Sequence, residues 1–312
     1  ETVLADPATA NAWCQLTLER AGATLLAADD PVLLPKAAKN PVEVEGMRGA
    51  HIRDGVAEVR FLAWLDREVS AGNLHTEAEL AARLTDFRAE QPLFQEVSFD
   101  TISAAAANAA LPHYNHENFP GVSRLCMDTV YLVDSGGQYL DGTTDITRTV
   151  AIGDPGEEIK RHFTLVLKGH IALGSVRFPE GTTGSQLDIL ARQYLWREGL
   201  DYDHGTGHGV GAFLSVHEGP QRISKVASSV ALQPGMVLSN EPGYYLDGSH
   251  GIRCENLVVV KASSVPAEAG RTMYEFEAIT LAPFDRRLVV PELMSAAELA
   301  WLNSYHARVR DT

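Results

Sequence analysis

The first 40 residues alternate between short apolar runs and one amphipathic segment, which predicts a strand, a helix and a second strand. The two strands are the runs VLAD and ATLLAADD. Asp6 is the predicted N-cap of the helix, with Pro7 at its first position and Gly22 at its end. Because so small a unit cannot bury both its faces alone, we interpret it as the remnant of a preceding domain or as an extension packed on residues 41–312.

Helical periodicity dominates the next stretch of the chain. Thr76 and Glu79 form a capping-box pattern that opens a helix reaching about Arg88. Before it, a helix is predicted from about Ile52 to Ala71, with an apolar face made of Val56, Val59, Leu62, Ala63 and Val69. Three further helices are predicted at 154–176, 185–198 and 295–309.

Short strands with β-branched and aromatic residues separate these helices. TVYLVDS and DITRTVAI flank a turn, and MVLSN, IRCENLVVV and EFEAITL are further strands. Asp134 and Asp145 lie 11 residues apart, Glu241 and Glu255 lie 14 residues apart, and each pair spans an Asp-Gly turn. This repetition suggests two related halves that face each other across a pseudo-twofold axis.

Composition and charge narrow the class of protein. Apolar residues make up 45% of the chain and charged residues 21%, as in a globular protein with a full core. The formal net charge of −15 argues against nucleic acid or an anionic membrane as a partner. Without a run of about 18 apolar residues, no membrane-spanning helix is expected. Three scattered cysteines predict a reducing compartment, the cytoplasm.

Acidic residues at the ends of apolar strands are the first sign of chemistry. A carboxylate there is costly unless it is paired or bound to a metal, although any single one could simply face solvent. Four of them brought together would repel one another, and two divalent cations would remove that repulsion. One imidazole among carboxylates favours Mn²⁺ or Co²⁺ over a cysteine-rich zinc site. Two such ions can share a water and clamp a tetrahedral intermediate, which is a hydrolase design.

The glycine-rich segment DHGTGHGVG contains Gly207-x-Gly209-x-x-Ala212, which loosely matches a dinucleotide-binding pattern. That pattern should follow an apolar strand and open a helix, whereas Asp201-Tyr202-Asp203 precedes it here. We therefore expect no dinucleotide. The glycines predict a backbone that passes close to a metal or a substrate.

Four strings occur in order along the chain: VDSGGQYLDGTTDITRT, HGTGHGVGAFLSVHEGP, NEPGYY and GIRCENL. Together they resemble the motifs of the pita-bread metallopeptidases, and most of all those of the aminopeptidase P family. The resemblance covers residues 41–312 and implies an α+β pita-bread fold with pseudo-twofold halves, a curved antiparallel sheet and a homodimer. Residues 1–40 resemble the tail of the creatinase N-terminal-like domain that precedes the catalytic domain in this family.

The resemblance also implies a set of metal ligands. Asp145 and Glu255 would bridge both ions, and Glu241 would also be the general base for the bridging hydroxide. The ions would be Mn²⁺, with Co²⁺ or Zn²⁺ as alternatives. The full ligand set is Asp134, Asp145, His208, Glu241 and Glu255.

Further residues match positions on the substrate side. His113 would hydrogen-bond the tetrahedral intermediate, although the nearby His116 is an alternative. His204 and His217 would line the substrate path, with His217 also counted as catalytic. Arg253 would brace the ligand carboxylates. Separately, we expect Cys254 to be a packed core thiol and the Tyr244-Tyr245 pair to be packing residues.

The implied activity is hydrolysis of the N-terminal bond of peptides with proline in second position. One alternative is a prolidase-type dipeptidase that cleaves Xaa-Pro dipeptides. Others are a non-catalytic binding module and a metal-free hydrolase of the creatinase type on the same fold. Such non-metal relatives lose ligands, and all five ligand positions are retained here.

Overall fold

The structure is a computed structural model that describes residues 1–118, 123–265 and 268–312. Its helices are α1 Ala12–Arg20, α2 Leu33–Ala37, α3 Pro41–Ser70, α4 Glu77–Ala89, α5 Gly156–Gly174, α6 Gly184–Trp196 and α7 Ala296–Asp311. Its strands are β1 Thr2–Ala5, β2 Thr24–Ala27, β3 Phe94–Val97, β4 Ile102–Ala105, β5 Thr129–Ser135, β6 Gly137–Tyr139, β7 Gly142–Thr143, β8 Ile146–Ile152, β9 Arg177–Pro179, β10 Gly207–His208, β11 Arg222–Ile223, β12 Val237–Asn240, β13 Gly243–Leu246, β14 His250–Arg253, β15 Asn256–Ala262 and β16 Met273–Ala278.

The first half of the main domain is an antiparallel sheet, β4–β5–β8, covered by α3 and α4. Tyr131 and Val133 of β5 pack on these helices with Phe61 and Leu80. Because side chains alternate along a strand, Val130, Leu132 and Asp134 point the other way. Every residue of β5 after Thr129 is buried, as expected for a strand covered on both faces.

The second half repeats this plan with a four-stranded antiparallel sheet, β12–β15–β16–β9, covered by α5 and α6. Leu238, Val258 and Phe276 of the sheet pack with Leu187 and Ala191 of α6.

The two halves correspond in their insertions as well as in their sheets. The pair β6–β7 lies between the paired strands β5 and β8, and the pair β13–β14 lies between the paired strands β12 and β15. The fold is therefore the expected α+β pita-bread architecture, and the two Asp-Gly turns mark equivalent insertions. No helix among the described residues is long and apolar enough to cross a membrane.

Residues 1–40 contain the predicted strand, helix and strand, with β1 and β2 paired in parallel. The predicted start of the helix was wrong. Asn11, not Asp6, caps α1 by accepting a hydrogen bond from the backbone N–H of Trp13 at 2.7 Å. Asp6 instead accepts from the N–H groups of Ala8 and Asp30, so its side chain closes a turn and ties it to the segment after β2.

Helix α3 is longer than predicted and buries a partly different face. It begins at Pro41, behind a capping box formed by Asn40 and Glu43. The predicted apolar face is only partly correct. Leu62 and Val69 are half-buried against the core, whereas Val56, Val59 and Ala63 are exposed. The buried face instead carries small and charged residues among its apolar ones: Met47, Ala50, His51, Asp54, Gly55, Ala57, Glu58, Phe61 and Leu65.

Candidate active site

The hairpins β5–β8 and β12–β15 place their acidic residues at equivalent positions in the two halves. Asp134 lies opposite Thr147 in the β5–β8 register, and Asp145 immediately precedes β8. Glu241 immediately follows β12 and Glu255 immediately precedes β15. The hairpins meet where the N–H of Glu255 donates to the carbonyl of Thr147 at 3.3 Å. All four carboxylates therefore converge on the junction between the two halves.

Three of the predicted ligands form a compact group. Asp145, His208 and Glu255 each offer one ligand atom, and these atoms lie within 4.8 Å of one another. The Nε2 atom of His208 is 3.4 Å from Asp145 Oδ2 and 3.4 Å from Glu241 Oε1. Its Nδ1 lies 3.0 Å from the carbonyl of Gly209. A proton on Nδ1 would satisfy that carbonyl and leave the Nε2 lone pair facing the carboxylates, as a metal ligand requires.

The electrostatics of this group call for more positive charge. Burial, reinforced by the neighbouring carboxylates, raises the pKa of Glu241 to about 7 and that of Glu255 well above its usual range. Burial alone would lower the pKa of His208, but its hydrogen bond to Asp145 and the charge of Glu241 raise it to about 9. Protons are favoured here because too few cations face the carboxylates.

Unpaired oxygens point to the same conclusion. Asp134 Oδ1 and Glu255 Oε1 are buried and have no hydrogen-bond partner among the described residues. Buried carboxylate oxygens rarely stay unsatisfied, and divalent cations of the carboxylate-binding type would satisfy both. The residues present therefore fit a metal centre.

Hydroxyl groups that the sequence did not single out orient the acidic side chains. Thr147 donates its hydroxyl to Glu255 Oε2 at 2.6 Å and accepts from Arg253 Nε at 3.1 Å. Ser239 donates to Glu241 Oε1 at 2.9 Å and accepts from the N–H of His208 at 2.9 Å. Both lie within two residues of a predicted ligand, Asp145 or Glu241, which was the only signal for them in the sequence.

Arg253 starts a hydrogen-bonded chain that links the carboxylate of Asp134 to His204, which is predicted to line the substrate path. Its guanidinium donates to Asp134 Oδ2 at 2.6 Å and to the hydroxyl of Tyr245 at 2.7 Å. That hydroxyl lies 2.8 Å from His204 Nε2, and His204 Nδ1 lies 2.8 Å from the carbonyl of Gly205. Burial and the nearby Arg253 charge lower the pKa of His204 to about 3, so the ring is neutral, with its proton on Nδ1 and the Tyr245 hydroxyl donating to Nε2.

The interpretation of Tyr244-Tyr245 as packing residues was therefore correct for one and incomplete for the other. Tyr244 packs in the core beside α5, with its ring 4.6 Å from that of His162. Tyr245 joins two predicted site residues through its hydroxyl. Cys254 is a buried core thiol as expected, and burial raises its pKa to about 12.

All nine predicted site residues line one cavity of about 580 Å³. His113 is on its wall and His116 is not among the lining residues. His217 packs edge-on against His208, with ring centroids 4.2 Å apart. Apolar residues that the sequence did not indicate, including Phe99, Ile102 and Val216, complete the wall. A larger cavity of about 970 Å³ lies between α3, β8 and α7 and contains none of the predicted residues.

The glycine-rich segment packs closely on protein backbone and also borders the cavity. A Cβ at Gly207 would collide with the carbonyl of Ser239, and one at Gly209 with the carbonyl of Glu218. Gly205 and Gly207 line the cavity, in agreement with the predicted backbone close to the site. Gly207 and His208 form the short strand β10, which pairs with β11.

Known protein families and sequences match most of the chain. The profile of metallopeptidase family M24 matches residues 45–262, and that of the C-terminal region of peptidase M24 matches residues 272–312. The chain is 51% identical over 282 residues to the probable Xaa-Pro aminopeptidase P of Tuber melanosporum. That alignment covers 89% of this chain and 45% of the relative. The chain is also 47% identical over 310 residues to aminopeptidase P1 of Lotus japonicus, and this alignment covers 92% of the chain and 47% of the relative.

Solved structures agree. The X-prolyl aminopeptidase of Caenorhabditis elegans, described as a cytosolic enzyme with a di-nuclear active site, superposes with a TM-score of 0.88 at 44% identity. The match covers 92% of this chain and 46% of that one, so this chain spans about half the length of the relatives that it matches. The Xaa-Pro dipeptidase of Bacillus anthracis superposes with a TM-score of 0.74 at 26% identity, covering 91% of this chain and 74% of that one. The chain belongs to metallopeptidase family M24.

Proposed function

We propose that this chain is the catalytic part of an Xaa-Pro aminopeptidase that removes an N-terminal residue preceding proline. The observation that carries the proposal is the single cavity lined by all nine predicted residues. Relatives at 51% and 47% identity are named as aminopeptidases P, whereas the dipeptidase likeness is at 26% identity. A prolidase-type dipeptidase and a non-catalytic binding module remain the alternatives that the experiment below must separate.

The proposed metal ligands are Asp134, Asp145, His208, Glu241 and Glu255. Two divalent cations held there would lower the pKa of a water and polarise the scissile carbonyl. Glu241 would take the proton of the attacking water as general base. Ser239 supports that role, because its hydroxyl fixes Oε1 of Glu241. We propose Mn²⁺ as the native ion, with Co²⁺ and Zn²⁺ as alternatives, since hard oxygen ligands predominate.

The remaining residues would position the peptide. His113 would donate a hydrogen bond to the developing oxyanion, and His217, on the same cavity wall, would contact the substrate beside His208. His204 already uses both ring nitrogens, on Gly205 and Tyr245. Its proposed contribution is therefore a fixed, neutral wall of the substrate path. Arg253 would hold Asp134 in its ligating orientation.

We extend the proposal to the context of the chain. The C. elegans neighbour is described as cytosolic, which supports a cytoplasmic location here, and we also propose a homodimer. We propose that residues 1–40 are the end of a preceding domain and 41–312 the catalytic domain. Trp13 is 71% exposed and Leu16 and Leu26 about half exposed, which supports a further protein surface against α1 and β2.

The experiment removes metal with a chelator and restores Mn²⁺. It then compares Arg-Pro-Pro, Arg-Ala-Ala and the dipeptide Arg-Pro as substrates, for the wild type and for Glu241→Gln. Metal-dependent release of arginine from the proline peptide alone, lost in the variant, is the expected result. Cleavage of both peptides would overturn the proline specificity. Cleavage of an Arg-Pro dipeptide but not of the tripeptide would favour the dipeptidase. No cleavage and no bound metal would favour the binding module. Bound metal without cleavage of any peptide would mean that activity needs the part of the relatives that this chain does not span.

A further inference from the structure

Lys39 lies outside the residues that the M24 profile matches, in the short segment between α2 and α3. Its side chain is nevertheless only 1% exposed, and its Nζ lies 2.8 Å from Glu218 Oε1. Its backbone N–H donates to the carbonyl of Gly235 at 3.0 Å, and Ala38 pairs with Met236. Lys39 is thus fixed at both ends, by the residues that lead into β12 and by Glu218.

Glu218 organises the loop that carries the proposed substrate-contacting histidine. It directly follows His217, and its N–H donates to the carbonyl of Gly209 at 2.8 Å. A Cβ at Gly211 would lie 2.8 Å from Glu218 Oε2, so the loop backbone packs directly on the carboxylate. The segment from Gly209 to Glu218 is therefore folded around this one side chain, between His208 at its start and His217 at its end.

Lys39 connects this loop to the strand that leads to Glu241. Gly235, its backbone partner, is followed by β12, which ends one residue before Glu241. The loop is joined to the same strand, because Val210 N–H donates to the carbonyl of Val237 at 3.1 Å. The buried ammonium group of Lys39 therefore lies between the strand that leads to Glu241 and the loop that carries His217.

We propose that Lys39 is a positioning residue for the active site, which holds Glu218 and through it places His217 in the cavity. The proposal rests on the proposed function for its kinetic consequence, but its structural part does not. Removing Lys39 would leave a buried carboxylate short of its closest partner, and movement of Glu218 towards water would relieve this. His217 would move with its neighbour.

Lys36 supplies a matched control within the same cluster. Its Nζ lies 3.1 Å from the other carboxylate oxygen of Glu218, but its side chain is 42% exposed. An exposed lysine makes a weak, solvent-screened contact. The two lysines therefore present the same charge to the same carboxylate and differ in burial.

The test compares Lys39→Met, Lys36→Met and the rescue variant Lys39→Arg, each loaded with Mn²⁺ and checked for metal content. Hydrogen exchange of the amides from residue 209 to residue 218 should accelerate about tenfold or more in Lys39→Met, because a locally opened loop loses protection. Exchange in Lys36→Met should match the wild type, and Lys39→Arg should restore most of the protection. kcat/KM for a proline peptide should fall about tenfold or more in Lys39→Met alone, with metal content unchanged, because misplaced contact groups are costly.

Wild-type exchange in Lys39→Met, or equal acceleration in both methionine variants, would overturn the proposal. If Lys39→Met does not fold, Lys39→Gln, which removes the positive charge but keeps a polar side chain beside Glu218, replaces it. Wild-type exchange in Lys39→Gln would equally overturn the proposal. A wild type that cleaves no proline peptide would defeat the proposed function, and loop exchange would still decide the role of Lys39.

Discussion

Two buried groups of charged residues lie on opposite sides of β5, and we propose a functional role for one of them. The α3 cluster consists of Asp54, Glu58 and Arg88, and the cavity cluster consists of the four acidic ligand candidates with His208 and Arg253. Consecutive strand residues face opposite ways. Asp134 of β5 accordingly belongs to the cavity cluster, while the next residue, Ser135, donates to Glu58 at 3.2 Å.

The clusters differ in charge balance and in access. Arg88 reaches both of its carboxylates, at 2.7 Å to Asp54 Oδ1 and 2.7 Å to Glu58 Oε1, and Tyr139 also donates to Asp54. The cavity cluster has four carboxylates for one guanidinium and one imidazole, and it opens to a cavity. The α3 cluster lines neither of the two cavities described above. Burial of charge is thus a poor indicator of function, whereas an accessible surplus of one sign is a good one.

The largest expected effect is a loss of catalytic rate that is confined to a variant of the cavity cluster. Glu241→Gln should lower kcat for a proline peptide about 10³-fold, because the general base is lost, while KM changes little. Steady-state kinetics at matched metal content provide the measurement, with Glu58→Gln as the buried control from the other cluster. A loss below about tenfold in Glu241→Gln would mean that another group accepts the proton.

The stability of the fold should depend on the α3 cluster, whereas activity should depend on the cavity cluster. Arg88→Met should lower the free energy of unfolding by about 3–5 kcal/mol, because two buried carboxylates lose their common partner. Arg161→Met, which removes a surface pair with Glu198, should cost less than about 1 kcal/mol. Urea unfolding of both variants is the measurement. A small effect of Arg88→Met would mean that the α3 cluster does not stabilise the fold.

The pH dependence of stability sharpens the comparison further. Burial raises the pKa of Glu58 to about 7, against the opposing effect of Arg88. The folded chain then retains a proton that the unfolded chain releases at lower pH, so stability falls as pH rises through this window. Relative to Glu58→Gln, the wild type should lose about 1–3 kcal/mol of unfolding free energy between pH 5 and pH 7. A pH-independent difference would show that Glu58 is ionised throughout.

The smallest effect concerns a supporting hydroxyl. Thr147→Val removes the donor to Glu255 and the acceptor for Arg253. Loss of such a supporting group should weaken metal affinity or activity about 10–100-fold. Thr147→Ser keeps the hydroxyl and should stay close to the wild type. Equal losses in both variants would assign the effect to packing of the methyl group instead.

The cavity cluster was predictable because short sequence motifs contain its residues. Asp134 and Glu255 lie at the ends of apolar strands, and the order of the motifs supplied the remaining ligand candidates. The α3 cluster was not predictable in the same way, because Asp54 and Glu58 occupy helix positions that a hydrophobic pattern assigns to solvent. The pattern then selected Val56 and Val59, which are exposed.

Long-range partners explain the other differences. Nothing near Gly46 in the sequence shows that it packs on the carbonyl of Asp141, where a Cβ would collide, and the helix was predicted to begin only at about Ile52. Tyr245 and Lys39 gain their roles only from contacts with Arg253 and Glu218, which lie 8 and 179 residues away along the chain. Periodicity reports which face is apolar, and it carries no information about which buried polar groups meet.

The most direct test of the account is the number of Mn²⁺ ions bound by the chelator-treated chain, measured by native mass spectrometry. The account predicts two ions at saturation for the wild type and for Glu58→Gln, and fewer for Asp145→Asn, because only the cavity cluster of the two has surplus carboxylates that face a cavity. A wild type that binds no ion, or an Asp145→Asn variant that still binds two, would contradict it.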